Sequence, residues 1–212
     1  MSYAPSDSES PAKDSKYIHE PPRRMGAEGS ETWISLLDAA ERIIREKGYA
    51  SVTARQLAKE AGLSPQIAYF YFRSMDDLFE ALFKRFATKL LLAIGNIKTA
   101  EKPLMALWEL SSDPSDAVIY AELMSLSNHR KGLQSLIGEF GAEYNRRQAE
   151  IIETELACAG VDSRTWSPHV VASLLETIGR GIAFGEGFHI EGHQQVREFV
   201  TAFLTTLMNT NA

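Results

Sequence analysis

The chain has 212 residues, 44% of them hydrophobic, enough for one substantial core or for a small domain docked on a larger one. Its single cysteine, Cys158, excludes a disulfide framework and a cysteine-rich zinc site. The net charge of −6 argues against indiscriminate coating of nucleic acid, but the charge is unevenly spread: residues 1–75 hold 10 acidic and 10 basic side chains, the remainder 18 and 12. Local positive charge is enough for site-specific DNA binding, and acidic surface elsewhere weakens non-specific contact.

Residues 1–29 are polar, lack an apolar period and read as a disordered tail. Arg23 and Arg24 give that tail a second reading, as an arm for a minor groove or for phosphates. A first helix is expected over 31–47, with Trp33, Leu36, Leu37, Ala40, Ile43 and Ile44 on one face and Gly48 as its stop. Three helix starts then follow in quick succession. Thr53 and Gln56 form a capping-box pattern, Ser64 precedes Pro65, and Ser74 precedes Asp76 and Asp77. Between the first two starts, Ala61-Gly62-Leu63 supplies a turn through positive φ. Two short helices joined this way make a helix-turn-helix, whose second helix can enter a major groove. The helix opened by Ser74 is expected to run to about residue 97. Further helices are expected over 103–110, from Asp113-Pro114 to 128, over 131–159, over 167–184 and over 194–208. No strand, repeat or long heptad pattern is found, so the fold is expected to be all-α.

The second helix of the motif carries Gln66, Ile67, Tyr69, Phe70, Tyr71 and Phe72, too many aromatics for one short helix to bury. Phe72 and one other belong in the core. The rest fit contact with DNA: Tyr69 and Tyr71 offer hydroxyls to phosphates, and Gln66 can pair with adenine. Thr53 at a helix N-terminus suits a phosphate, and Arg55 suits a phosphate or guanine.

On these residues the chain resembles the TetR family of transcriptional regulators. The resemblance rests on Thr53, Leu57-Ala58, Ala61-Gly62-Leu63-Ser64, Tyr69-Phe70-Tyr71-Phe72 and Ser74-Met75-Asp76-Asp77-Leu78, and it is close over about residues 39–82. It implies an N-terminal three-helix helix-turn-helix domain over 30–75 and a C-terminal helical domain over 76–212 that binds a ligand and dimerises. It implies a double-stranded DNA operator, a small-molecule effector and a homodimer as partners, with Thr53, Arg55, Ser64, Pro65, Gln66, Ile67, Tyr69, Tyr71 and Arg73 at the DNA. Where the family has a phosphate-binding lysine after the helix serine, this chain has Met75, and Arg73 is the nearby substitute. Ala68 stands where leucine is frequent.

In the second domain, Gly181-x-x-x-Gly185 costs helix stability. Close approach of a second copy would offset that; fraying of the helix end is the competing reading. Gly181, Gly185, Val196, Phe199, Phe203 and Leu207 are therefore the expected dimer interface. Met105, Trp108, Met124, Phe140, Tyr144 and Phe184 are candidate cavity residues, although the same residue types at helical spacing also serve as plain core. Asn128, His129, Asn145, Arg147 and Arg180 are the polar candidates. His189-x-x-x-His193 with Glu191 lies in a glycine-rich loop, which does not set two imidazoles on one face, and Gly179-x-Gly181 follows no strand. No cofactor, metal site or enzyme activity is expected. No apolar run reaches the length of a membrane span and the N-terminus lacks a signal-peptide pattern, so the expected setting is the cytoplasm. The expected function is a repressor released from its operator by a largely apolar effector; an activator, or a regulator acting mainly through protein contacts, would share the fold.

Overall fold

The computed structural model describes residues 26–209, with side chains to Thr206. Arg23, Arg24 and the side chain of Leu207 lie outside the described residues. Among these residues nine α-helices and no strand are found: α1 Glu31–Lys47, α2 Ala54–Ala61, α3 Pro65–Tyr71, α4 Met75–Ile97, α5 Pro103–Ser111, α6 Ala117–Ser127, α7 Lys131–Cys158, α8 Pro168–Gly187 and α9 His193–Asn209.

Most boundaries follow from local chemistry. Ser30 accepts from the Trp33 amide, Thr53 from Gln56 and Ser74 from Asp77, so three of the helices begin on a side-chain cap. Gly62 ends α2 at φ 68°, the left-handed conformation the turn demands. Ser64 differs from expectation, because its hydroxyl makes no cap bond. Its carbonyl accepts from the Ile67 amide, and Pro65 at the first helical position leaves one fewer unpaired N–H in the first turn. The helix expected from Asp113-Pro114 is divided into a 3-10 turn over Pro114–Asp116 and then α6. Helix α8 continues three residues past the expected Phe184, to Gly187.

Helices α1, α2 and α3 pack together through Leu37, Ile44, Leu57, Ala68 and Phe72, while Trp33 and Ile67 are only half-buried. This core is continuous with that of the second part. Helix α4 joins the two, burying Leu78, Phe79, Leu82 and Phe83 at one end and Leu90, Ile94 and Ile97 at the other. Around it, α7 packs on α4 and α8, and α8 also meets α5 and α9. Arg197 of α9 clasps Glu186 of α8 with two bonds of 2.8 and 2.7 Å, and it also donates to the Ser112 hydroxyl (2.7 Å) and carbonyl. Trp108, expected at a cavity, is instead a core residue whose indole N–H donates to Thr201 at 2.9 Å.

Two glycines of α8, Gly179 and Gly185, serve packing within the chain. A Cβ on Gly179 would stand 2.7 Å from the Ser111 backbone, so its absence lets α8 close on α5. Gly185 is buried against the His193 ring of α9, which accounts for its missing side chain without a second copy. At Gly181 the space a Cβ would enter is open, with no neighbouring atom within 4 Å. Gly179→Ala should therefore destabilise the protein by about 1–3 kcal/mol through overpacking. Gly181→Ala should be neutral or stabilising by up to about 1 kcal/mol through helix propensity. Urea unfolding of the two variants reads the difference in sign.

Candidate nucleic-acid interface and ligand cavity

The outer face of the helix-turn-helix is built from what the core does not take. Helix α3 is anchored by Ala68 and by Phe72, whose ring meets Trp33 at 6.4 Å. That anchorage leaves Ser64, Pro65 and Gln66 exposed, with Tyr69 48% and Phe70 47% exposed. Thr53 and Arg55 are exposed on α2. Neither Arg55 nor Lys59 has an ion-pair partner among the described residues, so both charges face solvent at the end of the protein where α2 and α3 meet.

Two expected contacts are placed differently. The Tyr71 hydroxyl accepts from Ser30 at 3.3 Å and its ring lies against Gly26, whose amide donates to the Phe70 carbonyl at 3.2 Å. Tyr71 thus packs the segment before α1 onto α3, and the outward aromatic beside Tyr69 is Phe70. Arg73 is exposed, but its Nε donates to Asp77 at 3.1 Å, an i,i+4 pair that engages part of its charge. Met75, where the lysine was expected, is half-buried against the core.

A cavity of about 350 Å³ opens among α4, α5, α6, α7 and α8. Its walls are mainly apolar: Phe86, Leu90 and Ala93 from α4, Leu110 from α5, Ala117, Tyr120, Ala121 and Met124 from α6, Tyr144 from α7, and Ala183 and Phe184 from α8. Met124, Tyr144 and Phe184 were legible as lining residues. Met105 and Phe140 are half-buried core instead; Phe140 packs between Phe83 (5.6 Å) and Tyr144 (5.2 Å). Of the polar candidates only Arg180 reaches the cavity. Its guanidinium lies 3.8 Å from the Tyr120 ring centre and pairs with Glu176. Tyr120 and Phe86 escaped the sequence reading because each sits on a helix apolar on more than one side, where periodicity does not tell a lining face from a core face. Burial pushes the Tyr144 hydroxyl up to about 12, so it stays protonated.

Asp116 joins this cavity to the first domain. It lines the cavity and accepts from Arg45 of α1 at 2.7 Å and from Lys89 of α4 at 2.6 Å. Arg45 also donates to the Ser115 carbonyl (2.7 Å) and to Glu41, which in turn accepts from Arg85 of α4. Further along α6, Glu122 accepts from the Tyr49 amide at 2.7 Å. Helix α6 therefore presents one side to the cavity and another to the helix-turn-helix.

The molecule is a helix-turn-helix unit set on a helical domain with a ligand-sized cavity. Residues 36–82 match the family model of bacterial regulatory proteins of the tetR family. The first domain is therefore a helix-turn-helix of the tetR type. The HTH-type transcriptional regulator BetI of Brucella anthropi is 38% identical over 76 residues, covering 34% of this chain and 39% of that protein. The matches to curated relatives thus span well under half of the relatives' length. Among solved structures, a transcriptional regulator of Saccharomonospora viridis in complex with choline has TM-score 0.67 at 17% identity, covering 81% of this chain and 94% of that one. The regulator FadR of Bacillus subtilis in complex with stearoyl-CoA has TM-score 0.62 at 18% identity, covering 81% and 97%. At these identities the structural likeness extends the family's fold across the second domain. The relative and the two neighbours named here are all described as transcriptional regulators.

The Asp116 junction has a pH signature. Burial alone would raise its carboxyl, but hydrogen bonds from Lys89 and Arg45 outweigh burial and hold it below its ordinary value of 3.8. The stabilisation is therefore complete above the ordinary carboxylate range and is lost as pH falls through the lowered folded-state value. Lys89 is 65% exposed, so the Arg45 bond carries most of the effect. Asp116→Asn should cost about 1–2 kcal/mol near neutrality. Its deficit against the wild type should shrink in urea titrations taken from about pH 7 to about pH 3.

Proposed function

We propose that this protein is a cytoplasmic transcriptional repressor that binds a palindromic operator as a homodimer and is released by a small, largely apolar effector. One observation carries the DNA reading: α3 is held by Ala68 and Phe72 while Gln66, Tyr69 and Phe70 are exposed, with no side-chain hydrogen bond made by Gln66 or Tyr69 among the described residues. Thr53, Arg55, Ser64, Pro65 and Ile67 flank that face, and Arg73 lies at its edge. The phosphate contacts are assigned to Thr53, Arg55 and Tyr69, and base reading to Gln66.

The dimer reading is supported by an apolar face on α8 and α9. Leu174 and Ile178 are exposed on α8, Val196 and Phe203 on α9, and Phe199 is 70% exposed. Large exposed apolar side chains grouped in this way are characteristic of an interface. Two such chains related by a twofold axis would present their α3 helices about 34 Å apart, one turn of DNA. An effector in the cavity would bear on α4 and on Asp116, both tied to the first domain, and linkage then requires operator and effector to oppose one another. Choline and stearoyl-CoA, the ligands of the two fold neighbours, differ in charge and size, so the cavity's own side chains must decide the effector's chemistry.

Arg55→Ala and Tyr69→Ala should each weaken operator binding by about 1–3 kcal/mol without changing the oligomeric state. Phe199→Asp should yield monomers that lose the operator together with the dimer. Gel shifts on the operator upstream of the protein's own gene, run beside sedimentation velocity, measure both; normal binding by the Arg55 and Tyr69 variants would remove the DNA assignment.

A further inference from the structure

We propose that the cavity selects a carboxylate ligand with an apolar body, and that Arg180 is its specificity-determining residue. The proposal rests on the effector reading of the same cavity.

The walls alone would suit several ligand classes. Aromatic faces are the usual seat of a quaternary ammonium, and Tyr120 and Tyr144 offer two. Here that seat is taken by the protein itself. The Arg180 guanidinium lies 3.8 Å from the Tyr120 ring centre and 6.0 Å from that of Tyr144. A cationic ligand would have to displace Arg180 from Tyr120 or lie beside a like charge in a largely apolar cavity, and both are unfavourable.

The remaining polar groups present donors. Glu176, which is not part of the lining, accepts only from Arg180 Nε and Nη2. The N–H groups of Nη1 have no protein partner among the described residues. Tyr144 remains protonated and makes no hydrogen bond among the described residues. The lining carboxylates, by contrast, are engaged: Asp116 by Arg45 and Lys89, and Asp113 by the Ser115 amide and hydroxyl at 2.9 Å. A site with unspent donors and committed acceptors calls for a ligand that brings acceptors. A carboxylate brings two oxygens and meets a guanidinium in charge-assisted bonds. Because Glu176 already balances the Arg180 charge, the selection comes from these directed bonds and not from net attraction.

The cavity's volume of about 350 Å³ lies at the small end of ligand sites, which sets the probes: octanoate, octanol and octyltrimethylammonium, each below its micelle concentration. Calorimetry on the full chain should find octanoate bound at least about tenfold more tightly than the other two. Arg180→Gln should reduce octanoate to the affinity of octanol while leaving octanol unchanged. Arg180→Ala, by clearing the Tyr120 face, should raise the affinity for the ammonium. Equal or tighter wild-type binding of the ammonium, octanoate binding unaltered by Arg180→Gln, or binding of none of the three would overturn the proposal. If the variants do not fold, the wild-type ranking decides alone. Gel shifts on the same samples separate this proposal from the effector reading. Octanoate that binds tightly but leaves the operator occupied preserves the ligand class and removes the effector role. Release by the ammonium alone does the reverse.

Discussion

Helix α4 is the constraint on which the rest of the molecule depends. It buries apolar residues at intervals along its whole length, from Leu78 against the first three helices to Ile97 in the second part. Close-packed protein cores do not deform continuously, and they transmit strain along the elements they hold. Phe86 and Leu90, midway along it, also form one wall of the cavity. A molecule filling that space therefore presses on an element whose first turns support the helix-turn-helix.

The ionic junction at Asp116 gives the same relation a second physical route. Arg45 belongs to α1, Lys89 to α4, and Asp116 to the turn that opens α6 and edges the cavity. Burial disfavours the charged carboxylate and hydrogen bonds from the two cations outweigh it, so the present placement of α1 and α4 favours Asp116 as an anion. The contact between Glu122 and the Tyr49 amide fixes α6 to the first domain at a second point along its length. Arg197 performs a comparable task at the far end, tying α9 to α8 and to the close of α5 through Glu186 and Ser112.

Arg180 shows how one side chain sets the chemistry of a cavity. Its guanidinium covers Tyr120, and Glu176 holds it in place from one turn earlier. Fold neighbours with very different ligands share the helices but only about one residue in six with this chain. The architecture makes the space, and the proposed selectivity rests on Arg180.

Local chemistry made much of this legible in the sequence. Ser30, Thr53 and Ser74 bond to backbone N–H groups three residues on, Gly62 occupies a left-handed turn, and the apolar periods of α1, α4 and α7 mark helices, because caps, turns and amphipathic faces depend on residues within a few positions of one another. The helix-turn-helix is local in the same sense, and its motif carries the likeness to tetR-type regulators. What only the tertiary structure decided involves residues far apart in the chain. Tyr71 turned toward Ser30, Gly185 filled by His193, Trp108 bonded to Thr201 and Arg180 laid over Tyr120 each depend on which faces of two helices meet. Periodicity says that a helix has an apolar face, and it does not say what lies opposite. For that reason the helix-turn-helix could be read from the chain, while the cavity and its chemistry waited on the packing of α4, α6, α7 and α8.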